Sequence, residues 1–128
     1  MIDQQGPDVA NVLYVDDEAA IRRAVSTWLT RRGHTVHVAA DVATAQAILT
    51  EQQLDGVFID VWIGGESGVA LHEWMREHTP ALAARAVFVT GDIGSSERLL
   101  RTIREQGLSV VPKPFNLKDL ERIAATWG

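Results

Sequence analysis

A chain of 128 residues, 46% apolar and 23% charged, has the size and composition of one globular domain. Its net charge of −5 argues against a general nucleic-acid-binding domain, because proteins that bind the phosphate backbone are usually basic. The lack of cysteine excludes disulfides, thiolate catalysis and cysteine-bound zinc. Apolar runs are short and no leader precedes Asp3, so we expect a cytoplasmic protein without a membrane span.

Hydrophobic periodicity predicts strands and helices in alternation. Residues 12–15 form an apolar run, and Ile21 and Leu29 then fall on one face of a helix that ends at Gly33. The same pair of segments recurs four times, with strands predicted at 35–39, 56–59, 86–89 and 108–111 and helices at 42–51, 68–77, 96–105 and 117–127. Five such units predict an α/β fold with a parallel sheet between two layers of helices. His37 interrupts the second strand, which indicates a sheet edge.

Reactive or charged side chains follow four of the five predicted strands. They are Asp16 and Asp17, Asp60, Thr90, and Lys113. In open α/β sheets, the carboxyl ends of the strands line the ligand-binding crevice. A single aspartate at such a place could simply cap the next helix. A lysine cannot act as an N-cap, and two adjacent carboxylates exceed what one cap needs, so the set predicts a polar site at this edge of the sheet.

Four ordered motifs make the chain resemble the receiver domains of bacterial two-component response regulators. The motifs are VDDE at 15–18, FID at 58–60 with Gly68 eight residues later, VTG at 89–91 and KPF at 113–115. The resemblance covers residues 11–126 and implies one receiver domain at 11–127 after an N-terminal extension at 1–10. It also implies a flavodoxin-like (βα)5 sandwich whose parallel five-stranded sheet has the order 2-1-3-4-5.

The resemblance implies a phosphoacceptor and a divalent cation. Asp60 would accept a phosphoryl group from a phosphohistidine on a sensor histidine kinase or a histidine phosphotransfer protein. Mg²⁺, for which Mn²⁺ could substitute, would be held directly by Asp17 and Asp60, with Asp16 acting mainly through water. The main-chain carbonyl of Trp62 would be a further ligand. A cation is also expected on physical grounds, because carboxylates about 4 Å apart repel each other by roughly 4 kcal/mol per pair at an effective dielectric of 20.

The same resemblance assigns the groups that would meet the transferred phosphoryl group. The hydroxyl of Thr90 and the ammonium of Lys113 would contact two of its oxygens, and the main chain at Trp62 and Gly91 would bind it as well. The Lys113–Pro114 peptide bond would be cis and would direct the lysine towards Asp60. Such a domain is not a conventional enzyme, although it assists its own phosphotransfer and autodephosphorylation.

Two positions depart from the family pattern. Many receivers carry Tyr or Phe three residues before the lysine, and the rotamer of that ring reports the switch, but this chain has Val110. We therefore expect the movement of Thr90 to be transmitted by the main chain after it or through another face. Trp62 is bulky and lies two residues after Asp60, in a loop with Gly64 where proline is usual. We predict that Trp62 partly shields the phosphoryl group.

The downstream partner and the output stay open at this point. A homodimer through the face of residues 96–105, 108–111 and 117–127 is one option, whereas direct nucleic-acid or membrane binding is not expected. A phosphate sink or a docking module in a phosphorelay is the alternative function. The four histidines, at 34, 37, 72 and 78, are expected to lie on the surface rather than to bind a metal.

Two other classes of function fit less well. A phosphatase of the haloacid dehalogenase type needs a second aspartate two residues after its nucleophile, where this chain has Trp62. A flavin-binding electron carrier needs a loop rich in glycine and hydroxyl groups after the first strand, to hold a phosphate. This chain has Asp16 and Asp17 there, and their charge would repel one.

Overall fold

The computed structural model describes residues 9–91 and 97–128 of the chain. The first residue of the predicted helix 96–105 and residues 1–8 of the predicted extension lie outside this part. The strands are β1 Asn11–Val15, β2 Thr35–Ala39, β3 Gly56–Asp60, β4 Trp62–Ile63, β5 Glu66–Ser67, β6 Ala86–Thr90 and β7 Ser109–Pro112. The helices are α1 Ala19–Arg31, α2 Val42–Glu51, α3 Gly68–His78, α4 Pro80–Ala83, α5 Glu97–Glu105 and α6 Leu117–Trp127.

The five long strands form one parallel sheet in the order β2-β1-β3-β6-β7. Because β6 and β7 are the fourth and fifth predicted strands, this confirms the predicted order 2-1-3-4-5. The edge position predicted for the second strand is also confirmed. The other edge strand, β7, contains Pro112, and an edge strand tolerates the missing amide because one of its sides makes no ladder.

Helices cover both faces of the sheet, and a hydrophobic core fills each interface. On one face α1 and α6 pack through Val25, Leu29, Leu120 and Ala124. On the other face α2, α3 and α5 pack through residues that include Leu49, Met75 and Ile103. Every residue of the central strands β3 and β6 is buried. This explains why their sequences are apolar up to the polar residue that ends each strand.

Local chemistry fixes several of the helix ends. Asp41 caps α2, since its carboxylate accepts a hydrogen bond from the amide of Thr44 at 2.8 Å. Asn116 caps α6 in the same way through Lys118, at 2.9 Å. Gly33 follows α1 with φ +95°, a conformation that favours glycine. At the start of α3, Gly68 approaches Asp60 so closely that a Cβ atom would collide with the main-chain oxygen of Asp60.

A short hairpin and a short helix were not predicted from the sequence. The hairpin pairs β4 with β5 directly after Asp60, and its turn is Gly64-Gly65, with φ +56° and +90°. A two-residue turn with both φ values positive suits Gly-Gly and matches the twist of the paired strands. The strands are too short to show any periodicity, so the Gly-Gly pair was the available signal. The short helix α4 begins at Pro80, a favoured residue for a first helical turn.

No helix in the part of the chain that the structure describes combines the length and apolar character needed to cross a membrane.

Candidate functional site

Three aspartates lie at the carboxyl ends of the neighbouring strands β1 and β3. Asp16 is completely buried and Asp60 is 6% exposed, whereas Asp17 is exposed. One carboxylate oxygen from each residue can be chosen so that all three lie within 4.8 Å of one another. The fold therefore gathers three negative charges on the edge of the sheet where the strand order reverses.

Lys113 reaches these carboxylates from the end of β7. Its Nζ atom lies 2.7 Å from Asp60 Oδ2, 2.8 Å from Asp16 Oδ2 and 3.1 Å from Glu18 Oε1. The main-chain amide of Lys113 donates to the carbonyl of Thr90 at 2.8 Å, and the Lys113–Pro114 peptide bond is cis. The ammonium thus bridges the two buried aspartates, which would otherwise repel each other.

Burial and charge act in opposite directions on the pKa values of Asp60 and Lys113. Burial raises the pKa of the Asp60 carboxyl above its usual value even though the hydrogen bond and charge of Lys113 lower it. Burial also disfavours the charged form of Lys113, but its hydrogen bonds with Asp16 and Asp60 outweigh this effect and raise the pKa of the ammonium. Lys113 therefore stays positively charged across the physiological range.

A shallow cleft opens above Asp60 and brings together the remaining predicted residues. It is lined by Asp17, Glu18, Asp60, Trp62, Gly64, Gly65, Thr90, Gly91 and Lys113. Thr90 is buried at the end of the central strand β6, next to β3. The amide of Trp62 donates to Asp60 Oδ1 at 3.2 Å, and Trp62, which is 45% exposed, lines the same cleft.

The donor set of the cleft fits a hard divalent cation. Three carboxylates within reach of one another offer oxygen ligands, which Mg²⁺ prefers. Asp17 is exposed and can turn towards an ion, whereas Asp16 already has protein partners on both of its oxygens. This difference favours Asp17 over Asp16 as a direct ligand. The ligand role of the Trp62 carbonyl stays a prediction.

The predicted switch position is only partly buried. Val110 lies in β7 opposite Phe88 of β6 and packs against the core beneath α2, α3 and α5. The predicted route through the main chain after Thr90 involves residues 92–96, which lie outside the described part of the chain. The role of Val110 as an atypical switch residue stays a prediction.

Sequence reasoning missed two residues of the site, Tyr14 and Glu18. The Tyr14 hydroxyl donates to Asp16 Oδ2 at 2.7 Å, and the Glu18 carboxylate accepts from Lys113. Tyr14 precedes Asp16 by two residues, and residues two apart point to the same side of a strand, so the spacing was a usable signal. Glu18 belongs to the VDDE motif, but nothing local indicates that it meets a lysine 95 positions later.

The expectation that the histidines lie on the surface was wrong for His34 and His72. Both are 3% exposed. His34 accepts a hydrogen bond from the Ala10 amide through Nδ1 and pairs with Glu121 through Nε2, at 3.1 Å in each case. His72 Nε2 lies 2.9 Å from the carbonyl oxygen of Ala83, which can only accept, so this nitrogen carries the proton. Both histidines are held by hydrogen bonds within the fold.

Comparison with known proteins is consistent with this geometry. The model of the response regulator receiver domain family matches residues 12–125. A putative NtrX-like response regulator of Rickettsia felis is 30% identical over 108 residues, which is 83% of this chain and 22% of the relative. The chain therefore spans about a fifth of the length of that relative.

Solved receiver structures are similar over nearly the whole fold. The receiver domain of NtrX from Brucella abortus has 31% identity and a TM-score of 0.76, covering 90% of this chain and 98% of that one. A CheY-like receiver domain protein from Methanospirillum hungatei has 25% identity and a TM-score of 0.76, covering 88% and 87%. Together with the match of the family model, these likenesses show that the chain belongs to the response regulator receiver domain family.

Proposed function

We propose that Asp60 is the phosphoacceptor of this receiver domain. The observation that carries the proposal is the contact between the Asp60 carboxylate and Lys113 Nζ at 2.7 Å, at the end of the central strand and beside two further carboxylates. A carboxylate oxygen of Asp60 attacks the phosphorus of a phosphohistidine. The new O–P bond forms as the P–N bond breaks, and the electron pair of that bond stays on the imidazole nitrogen.

The protein contributes position and charge to this transfer. The amide of Trp62 holds Asp60 Oδ1 and so fixes the orientation of the carboxylate. Lys113 Nζ, now shared among three carboxylates, neutralises the negative charge that the phosphoryl oxygens bring. The hydroxyl of Thr90 and the main chain of Gly91 border the same cleft and would bind further oxygens.

The metal in this proposal is Mg²⁺, with Mn²⁺ as a substitute. Asp17 and Asp60 would hold it directly, Asp16 would act through water, and the Trp62 carbonyl would complete the protein ligands. When bound, the ion supplies positive charge that offsets the repulsion between the aspartates and the incoming phosphoryl group.

Receiver domains of response regulators take phosphate from histidine kinases, and this class of partner is proposed here too. The chain spans about a fifth of the length of the NtrX-like relative from Rickettsia felis, so the proposal concerns the receiver domain alone. We further propose a single receiver domain at 11–127 after an extension at 1–10, a cytoplasmic location, a homodimer through the face defined above, and autodephosphorylation. Val110 stands where many receivers carry the switch ring, and this departure favours a phosphate sink as the second candidate function.

Phosphorylation by acetyl phosphate and Mg²⁺ tests the assignment of Asp60. The protein is incubated with both reagents, its intact mass is followed, and the modified peptide is located by tandem mass spectrometry. We expect one phosphoryl group on Asp60 in the wild type and none in Asp60→Asn. The control Asp119→Asn removes an exposed carboxylate of α6, and this variant should be labelled like the wild type. Labelling of Asp60→Asn at the wild-type level would falsify the assignment.

Trp62→Ala is expected to shorten the lifetime of the phosphorylated form. Trp62 is 45% exposed and lines the cleft that contains Asp60, so we expect removal of its side chain to open a path for the hydrolytic water. Decay of the phosphorylated protein after removal of the phosphodonor measures the lifetime in both proteins. Trp74→Ala, which alters a tryptophan of α3, is the control. Equal lifetimes for the wild type and Trp62→Ala would exclude a shielding role.

A further inference from the structure

Tyr14 is the only tyrosine of the chain, and its side chain is completely buried in β1. Its hydroxyl donates to Asp16 Oδ2 at 2.7 Å. The short distance is typical of a hydrogen bond to a charged acceptor, which is roughly twice as strong as one between neutral groups. Tyr14 thus connects the core between the sheet and helices α1 and α6 to the predicted phosphorylation site.

The carboxylate of Asp16 is fully satisfied from within the protein. Oδ1 accepts from the amide of Glu18 at 2.9 Å, while Oδ2 lies 2.7 Å from the hydroxyl of Tyr14 and 2.8 Å from Lys113 Nζ. A completely buried carboxylate depends on such partners, because burying it without hydrogen bonds costs free energy. The two donors on Oδ2 differ in the number of carboxylates that they contact, since Lys113 Nζ also contacts Asp60 and Glu18.

The ring of Tyr14 is held in place by two other aromatic rings. Its centroid lies 6.3 Å from that of Phe58 and 6.4 Å from that of Phe115, with the second ring edge-on. Phe58 precedes Asp60 by two residues and Phe115 follows Lys113 by two. The tyrosine is therefore packed against both segments that carry the reacting groups. Burial, and then the hydrogen bond to Asp16, raise the pKa of the hydroxyl, which stays protonated and keeps donating.

We propose that Tyr14 is a positioning residue whose hydroxyl holds Asp16 Oδ2 so that Lys113 can leave this oxygen and move to the phosphoryl group. The inference rests on the proposed function of Asp60. When the ammonium turns towards the phosphoryl oxygens, Oδ2 loses one of its two donors and keeps the other. Without the hydroxyl, the same movement would leave this buried carboxylate oxygen with no donor from the protein, a state that costs free energy. Tyr14 acts through Asp16 and Lys113 and does not touch the reacting atoms.

Tyr14→Phe removes the hydroxyl and keeps the ring, so it tests this role directly. In the Mg²⁺-free, unphosphorylated protein, Asp16 should hold Lys113 more tightly. Exchange of the Lys113 ammonium protons with water, followed by ¹⁵N NMR, should slow by about tenfold, given the strength of a hydrogen bond to a charged group. With acetyl phosphate and saturating Mg²⁺, the steady-state ratio of phosphorylated to unphosphorylated protein should fall on the order of tenfold.

A purely structural role would lower stability without either effect, and Val25→Ala provides that comparison. Val25 is buried in the same core as Tyr14 but belongs to α1, not to a strand that leads to the carboxylates. Its truncation should lower the melting temperature while the exchange of Lys113 and the phosphorylated ratio stay at wild-type values. The inference is overturned if Tyr14→Phe leaves either quantity unchanged. If the wild type itself takes no phosphoryl group, the proposed function fails, and the ammonium exchange alone then decides whether Tyr14 controls the hold of Asp16 on Lys113.

Discussion

Lys113→Met is expected to lower the free energy of unfolding by about 3 kcal/mol in Mg²⁺-free buffer, because breaking a buried ion pair leaves an uncompensated charge. The side chains of Lys113, Asp16 and Asp60 are 10%, 0% and 9% exposed, so water screens the remaining carboxylates only weakly. Methionine fills a similar volume, which limits any contribution from packing. Mg²⁺ should restore much of the lost stability, since it supplies the missing positive charge.

Urea unfolding with and without Mg²⁺ measures this effect, and Lys118→Met is the matched control. Lys113 and Lys118 are the two lysines of the chain, and Lys118 lies exposed in the first turn of α6. We expect Lys118→Met to change the free energy of unfolding by less than about 0.5 kcal/mol, as is usual for surface substitutions. An equal loss in both variants, or a loss in Lys113→Met that Mg²⁺ does not reduce, would contradict the bridging role of Lys113.

Asp17→Asn should weaken Mg²⁺ binding on the order of 100-fold, because even substitutions behind the direct ligands of a metal commonly cost 10–100-fold. Asp17 is the exposed member of the three aspartates, and neutralising it removes a charged ligand while the buried pair keeps its protein partners. The free energy of unfolding without the metal should change little, because Asp17 is exposed and the buried pair keeps its partners. Phosphorylation by acetyl phosphate should then require a correspondingly higher Mg²⁺ concentration.

Isothermal titration calorimetry of the unphosphorylated protein gives the Mg²⁺ affinity without any dependence on phosphotransfer. Asp119→Asn is again the control, because it removes one negative charge from the surface of α6 and leaves the cleft intact. Similar Mg²⁺ affinities for Asp17→Asn and Asp119→Asn would show that Asp17 is not a ligand. In that case only the general negative charge of the domain would attract the ion.

Much of the fold could be predicted because its determinants are local. Strands buried on both faces read as continuous apolar runs, helices show a periodic apolar stripe, and Gly33 ends the first helix. The helices at 42–51 and 117–127 lie where they were predicted, while the fifth strand runs from Ser109 to Pro112, one residue later than predicted. The candidate site followed from the same pattern, since the residues after successive parallel strands meet at one edge of the sheet.

The remaining features depend on partners that are distant along the chain. His34 is buried because Glu121 and Ala10 supply its hydrogen bonds. No local sequence pattern indicates partners that lie 87 and 24 residues away along the chain. The hairpin after Asp60 was missed because its paired strands have two residues each.

The sequence by itself determined the α/β class and the residues gathered at the edge of the sheet, and the family resemblance carried by its motifs implied the strand order. Only the tertiary structure decided how the charges are shared among them. It shows Lys113 between Asp16, Asp60 and Glu18, and Tyr14 on the same oxygen of Asp16. The physical reason is that periodicity reports which face of an element is buried, whereas an ion pair or hydrogen bond depends on atoms from several elements meeting within about 3 Å.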